Sequence, residues 1–353
     1  MIAILQTAFL GDTLLSVPLA QALRAEGHEL TLVCRRGLGS FFLGLGLFKD
    51  VIEVEKGGTE SYRTARLKLS GVRLLISPHE SPRSKFLAMR LRANGVSTIG
   101  YSGGVLSRLA YTKASPRPMH LPEAIRQLAL LENDSELWSA SVWRSRLAEF
   151  SKAQGAAGGL TATGELMPVP EWASMQLDLF SELTRTKTVV LAPGSVWATK
   201  RWTPDGFAEV GAAMLERGYT IELVGTREER GICESVATHI RRVTAVGRVE
   251  NRAGEMDLLQ TARTIAGARF AVTNDSGAMH IAAMVGTPVV GIFGPTVLDF
   301  GYRPWSLNAN VIQPEAILKC RPCGKHGAQN CPIGTHECMT GILAASVLRQ
   351  LAD

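Results

Sequence analysis

Three runs of polar residues follow directly on strand-like apolar sequence, the position at which an open α/β sheet holds its ligand. The first is Gly11-Asp12-Thr13, shortly after Ile2–Gln6. A carboxylate there can deprotonate a substrate hydroxyl. Asp12 would serve equally as a helix N-cap, which needs no chemistry. The second run, Pro193-Gly194-Ser195 through Lys200-Arg201-Trp202, follows Thr188–Ala192. Gly194 and Ser195 let backbone N–H groups approach phosphate oxygens, and Lys200 brings charge to neutralise them. A basic turn has the same composition, and the spacing is not that of a Walker A loop. The third run is Asn274-Asp275-Ser276-Gly277-Ala278-Met279-His280. Asn, Asp and Ser are helix-capping residues, and a helix N-terminus is a ready site for a diphosphate. Gly277 admits a ligand close to the backbone, and His280 falls one turn after Ser276, on the same side. A lone helical His also packs readily in a core.

The elements that must carry these runs alternate between strand and helix. In the first half, Ile2–Gln6, Leu30–Cys34, Val51–Val54, Leu74–Ser77 and Thr98–Tyr101 read as buried strands, with helical spacing over Leu14–Arg24 and weaker helices at Tyr62–Leu69 and Ser84–Arg92. In the second half, strands at Thr188–Ala192, Tyr219–Val224, Phe270–Thr273 and Pro288–Phe293 alternate with helices. These helices start at Thr203-Pro204-Asp205 and cover Glu228–His239, Met256–Ala266 and Ser276–Val285. Such alternation argues for parallel sheets covered by helices, and 353 residues are enough for two domains. Gly155–Pro170, rich in Gly, Ala, Thr and Pro, separates the halves. The expected division is an N-terminal domain over 1–165, a linker over 166–186, a C-terminal domain over 187–338 and a final helix over 339–353. Two successive βα halves suit a nucleotide-sugar enzyme and also a hinge-bending binding protein. No G-x-G-x-x-G follows the first strand, which disfavours a dinucleotide-dependent oxidoreductase.

Composition excludes other classes. Apolar residues make up 46% and charged residues 20%, an ordinary globular balance. The longest greasy stretch, Phe41–Phe48, is too short for a membrane span. The N-terminus has no basic n-region and meets Asp12 early, so no signal peptide is expected and the cytoplasm is the expected compartment. A hinge-bending binding protein would usually be exported, so this counts against that class. The net charge of +6 lies wholly in the first half, where residues 1–170 carry 20 Lys/Arg against 14 Asp/Glu. Nine basic residues between Lys56 and Arg92 face only Glu60 and Glu80, a segment that could attract a phosphorylated acceptor or an anionic bilayer, or simply be a solvated face. With aromatics at 6% and none interleaved among the basic residues, nucleic acid is not an expected partner.

Four of the six cysteines cluster as Cys320-x2-Cys323-x7-Cys331-x6-Cys338. Disulfides are disfavoured in a cytosolic protein. The cluster could hold a structural Zn²⁺, but with a single C-x-x-C the reading of reduced thiols is preferred.

Taken together, the motifs resemble the heptosyltransferase family, glycosyltransferase family nine, nearest its heptosyltransferase II branch. The resemblance covers most of the chain. It rests on Gly11-Asp12-Thr13-Leu14-Leu15-Ser16-Val17-Pro18-Leu19, Lys200-Arg201-Trp202, Ala253-Gly254-Glu255, Thr273 to Ala283 and Phe293-Gly294-Pro295-Thr296. It implies two Rossmann-like α/β domains facing across a cleft, the glycosyltransferase B fold. The acceptor would sit in the first domain, the donor in the second, and the final helix, Gly341–Leu351, would cross back to the first. It implies inverting, metal-independent transfer of heptose from ADP-heptose to the lipopolysaccharide inner core, with no required cofactor. The acceptor would be a phosphorylated, lipid-linked saccharide. The expected protein is a monomer in peripheral contact with the inner membrane. Asp12 then matches the general base and Lys200 a phosphate-binding lysine, with Ser195 in the same loop. Asp275, Ser276, Gly277 and His280 match the donor loop, and Glu228, more loosely, an acid that holds the ribose. A relative using another nucleotide sugar for a different surface glycan would read the same way.

Overall fold

The computed structural model describes residues 1–55, 58–69, 71–134, 141–153 and 166–351. The expected linker stretch between Gly155 and residue 165, and Lys56 at the head of the basic segment, lie outside them. The chain forms two compact units, Met1–Met167 and Pro168–Asp353.

The first unit carries strands β1 (Ile2–Gln6), β2 (Leu30–Arg35), β3 (Asp50–Val54), β4 (Leu74–Ser77), β5 (Ser97–Tyr101) and β6 (Lys113–Ser115). They form one sheet in the order β3-β2-β1-β4-β5-β6, with every pair parallel. The second unit repeats the scheme with β7 (Thr186–Ala192), β8 (Thr220–Leu223), β9 (Val249–Asn251), β10 (Ala268–Asn274), β11 (Val289–Ile292) and β12 (Ala309–Ile312). Its order is β12-β11-β10-β7-β8-β9, again all parallel. Read from the other edge, the second sheet has the 3-2-1-4-5-6 order of a dinucleotide-binding fold, as the first does. β1, β4 and β11 are buried from end to end, which is why they read as unbroken apolar runs.

Helix starts follow local chemistry. Pro82–Ala93 begins with Ser81 accepting from Ser84 N–H and proline at its first position. Pro204–Glu216 begins the same way, with Thr203 accepting from Gly206 N–H. Leu258–Ala266 opens with a capping box between Asp257 and Gln260. Among the described residues no helix is long and apolar enough to cross a membrane.

Two of the expected stretches pack within the second unit. Residues 168–185, expected as linker, pack into the second unit. Met175, Leu177 and Phe180 are buried, Leu177 N–H bonds Met284 O, and Trp305 Nε1 donates to Ala173 O at 2.6 Å. Burial of these apolar side chains outweighs the freedom of a linker. Over the expected final helix the chain forms two short helices, Glu337–Thr340 and Ala344–Leu348. Met339, Ile342, Ala344, Val347 and Leu351 join the core built on β7, β8 and β10. Trp202 Nε1 donates to Ile342 O and Arg217 Nη1 to Leu351 O, tying this tail to the second unit.

Candidate functional site

In each sheet the strand order reverses between the two central strands, and the loops beyond those strands' carboxyl ends border a crevice. The crevice of the first unit lies beyond β1 and β4, that of the second beyond β7 and β10. All three polar runs fall at these points.

Beyond β1, Asp12 lies in the first turn of the short helix Leu10–Leu14, at its third position, while the N-cap itself is Phe9. Burial, reinforced by the negative charge of Glu123, raises its pKa from 3.8 to about 6; backbone N–H groups and Arg117 act in the opposite direction. A buried network supports it from the Glu123–Ala129 helix. Gln127 Nε2 reaches Glu123 Oε1 at 3.2 Å and Asp12 O at 3.5 Å, and Ser16 Oγ donates to Gln127 Oε1 at 2.6 Å. Arg117 bridges Glu80 at 2.7 Å and Glu123 at 2.6 Å. Beyond β4, His79 Nδ1 bonds Thr7 Oγ1 at 2.8 Å and Ser84 Oγ at 3.1 Å. Burial, helped by Arg117, lowers its pKa to about 4, so the ring is neutral. Sequence reasoning missed Thr7, His79 and Glu123. The end of β4 was already readable, and the rule that located Asp12 points equally to His79.

In the second unit, Lys200 and Asp275 come together: Lys200 Nζ lies 2.5 Å from Asp275 Oδ2, which also accepts from Thr296 Oγ1 at 2.7 Å. Asn274 stitches the two loops, accepting from Trp202 N–H at 2.9 Å and donating to Pro193 O at 2.8 Å. Ser195 is buried, and its carbonyl accepts from Arg201 Nε. Ser276 precedes the helix Gly277–Met284 in extended conformation without a side-chain cap bond, so the helix start keeps free N–H groups. His280 is buried in that helix with Nδ1 unpartnered among the described residues. Burial lowers its pKa to about 4, Asp275 opposing and Lys200 assisting, which leaves a neutral imidazole.

Glu228 is not brought to this group. It is exposed in the turn before the helix Arg230–Val243. Its neighbour Glu229 faces Gly194 instead. The Glu229 carboxylate accepts from Thr226 N–H at 2.9 Å and lies so close to Gly194 that a Cβ there would meet it at 2.2 Å.

The cysteine segment straps the Lys200 loop. Thr199 and Ala328 exchange hydrogen bonds, Cys323 N–H bonds Pro295 O, and His336 Nε2 lies 2.8 Å from Thr199 O. Cys320, Cys323, Cys331 and Cys338 are free thiols lining one pocket with Thr199 and His336. Among the described residues no group of three or more His, Cys, Asp or Glu is placed to hold a metal ion. Arg321 is the main clasp: it donates to Gly294 O at 2.6 Å, to Thr296 O at 2.8 Å and to Gln313. Arg321→Ala leaves these half-buried carbonyls unpaired, and an unfolding titration should show a loss of about 2–4 kcal/mol. An unchanged midpoint would mean that the clasp is not needed.

A family description, glycosyltransferase family 9 (heptosyltransferase), matches residues 107–332. The chain is 28% identical to lipopolysaccharide heptosyltransferase 2 of Escherichia coli K12 over 229 residues, 62% of each protein. It spans only about half of other curated relatives it matches. The solved ADP-heptose lipopolysaccharide heptosyltransferase II of E. coli superposes over 99% of this chain and 97% of that one, with TM-score 0.69 and 20% identity. A family 9 glycosyltransferase from Veillonella parvula gives TM-score 0.71 at 18% identity, over 99% of this chain and 95% of that one.

Proposed function

The chain belongs to glycosyltransferase family 9, the heptosyltransferase family, and we propose that it moves heptose from ADP-heptose to a phosphorylated, lipid-linked saccharide of the lipopolysaccharide inner core. The observation that carries this reading is the Lys200–Asp275–Thr296 cluster beside an uncapped helix start, at the crevice of the second sheet. That combination of one cation and free N–H groups suits a diphosphate leaving group.

In this reading Asp12 takes the proton of the acceptor hydroxyl. The acceptor oxygen forms its bond to the anomeric carbon as the bond from that carbon to the diphosphate oxygen breaks, and the electron pair leaves with ADP. Asp275 accepts one of the three ammonium protons of Lys200, holding the side chain in place while the others are free for phosphate oxygens. The N–H groups after Ser276 and Gly277 share the diphosphate charge. Ser195 lies in the loop that lines the same crevice. His280, held neutral and unpaired, offers a ring nitrogen to the donor without adding a competing cation. Glu229, rather than Glu228, is the carboxylate suited to accept ribose hydroxyls. Charge stabilisation by Lys200 and the helix start makes a divalent metal unnecessary. The protein acts as a monomer at the cytoplasmic face of the inner membrane, in peripheral contact with it, and takes no nucleic acid.

Incubation with ADP-heptose and deacylated inner-core acceptor tests this by mass spectrometry of the product. Gain of one heptose per acceptor is the expected outcome. Transfer from another nucleotide sugar only would keep the chemistry and replace the donor. No transfer from any donor would defeat the reading.

A further inference from the structure

The first unit presents a face that the transfer chemistry does not use. Residues 81–122 contain no Asp or Glu and seven Lys/Arg. They include two neighbouring helices, Pro82–Ala93 and Gly104–Ala110. Arg92 fixes one beside the other, its Nη1 donating to the carbonyls of Arg108, Leu109 and Tyr111. Of the remaining cations, Lys113 pairs with Asp134 and Arg117 with Glu80 and Glu123. Arg83, Lys85, Arg90 and Arg108 have no ion pair among the described residues.

Large apolar side chains stand among these cations. Phe86 is 48% exposed, Val105 70% and Leu109 51%. On the first helix Arg83, Phe86 and Arg90 share one stripe by their 3- and 4-residue spacing. On the second, Val105 and Leu109 are one turn apart, with Arg108 next to them. We propose that this face docks the protein on an anionic phospholipid bilayer, with Phe86, Val105 and Leu109 entering the headgroup layer and Arg83, Arg90 and Arg108 meeting the phosphates. The proposal deepens the peripheral contact in the reading above, whose acceptor is lipid-linked, and rests on it.

Charge selects the occupant. A two-fold contact with a second copy would set the same acid-free patch against itself, cation against cation. Nucleic acid would meet the cations, but aliphatic Val105 and Leu109 give bases nothing to stack on. An anionic bilayer satisfies both kinds of side chain, with the cations at the phosphates and the apolar groups just beneath.

Cosedimentation of the full chain with vesicles tests this, using phosphatidylcholine alone and phosphatidylcholine with about a third phosphatidylglycerol. Binding to the anionic vesicles only, reduced in about 0.5 M salt, is expected. Arg83→Ser/Arg90→Ser/Arg108→Ser should weaken it roughly 100-fold, near fivefold per cation. Val105→Ser/Leu109→Ser should weaken it at least about tenfold, while ADP release on soluble deacylated acceptor stays at the wild-type rate. The proposal fails if the wild type ignores anionic vesicles, if neutral vesicles bind it equally, or if both variants sediment as the wild type does. Loss of a dimer in the variants, with vesicle binding intact, would reassign the face to a second copy. Absence of ADP release in the wild type would count against the transferase reading alone, because vesicle binding is read separately.

Discussion

Asp12→Asn should lower turnover by about 10³-fold while leaving donor affinity unchanged, because a positioned general base contributes roughly 10²–10⁴-fold. Asn keeps the shape of the side chain and cannot take the proton. The wild-type pH profile gives an independent reading. Burial and the charge of Glu123 place the Asp12 pKa at about 6, so kcat should fall as pH drops through that value. Stability should move the other way. The ionised carboxylate is less favourable in the folded protein than in the unfolded chain, whose Asp titrates near 3.8. This penalty is absent below about pH 4, grows between about pH 4 and 6, and is complete above that. Asp12→Asn should therefore stabilise the protein at neutral pH by about 1–2 kcal/mol, a figure discounted from the full shift because Asp12 is partly exposed. A variant that turns over normally would remove Asp12 from the chemistry. One that is inactive and also destabilised at neutral pH would give the carboxylate a structural role instead.

Lys200→Met should lower kcat/KM for the donor by about 10²–10³-fold, the scale on which removal of one preorganised charge acts. It should also destabilise the fold. Asp275 would be left largely buried with the Thr296 hydroxyl as its remaining side-chain partner among the described residues, and breaking a buried pair from one end costs about 2–4 kcal/mol. The double variant Lys200→Met/Asp275→Asn separates the two effects. It removes the uncompensated carboxylate, so at least about 1 kcal/mol of stability should return while activity does not. Recovery of activity along with stability would mean that Lys200 serves the fold only. Additive losses of stability in the double variant would mean that the two side chains are not coupled.

The sequence was legible wherever a residue's environment is set by its neighbours in the chain. The central strands read correctly because both of their faces are buried. Asp12, Lys200 and Asp275 could be placed beyond the ends of β1, β7 and β10 because a parallel sheet puts its loops at strand ends. The missed strands are all sheet edges: β6, β9 and β12. Lys113-Ala114-Ser115 and Val249-Glu250-Asn251 are short and polar because one side of each faces no further strand. Glu228 and Glu229 are adjacent acids, and only the turn before Arg230 decides which carboxylate points back toward Gly194. The cysteine segment was legible as a cluster of thiols but not as a strap, because its bonds to Thr199 and Pro295 span more than a hundred residues in one case and follow no periodic pattern. The packing of the C-terminal tail was not legible for a related reason: the local sequence over Gly341–Leu351 does not say which core it joins.

Steady-state nucleoside diphosphate release, measured with ADP-heptose, UDP-sugars and GDP-sugars in the presence of EDTA, tests the central claim most directly. Acceptor-dependent release of ADP from ADP-heptose, at a rate that EDTA does not change, is the predicted result. Release from a UDP- or GDP-sugar alone, or release that EDTA abolishes, would contradict it.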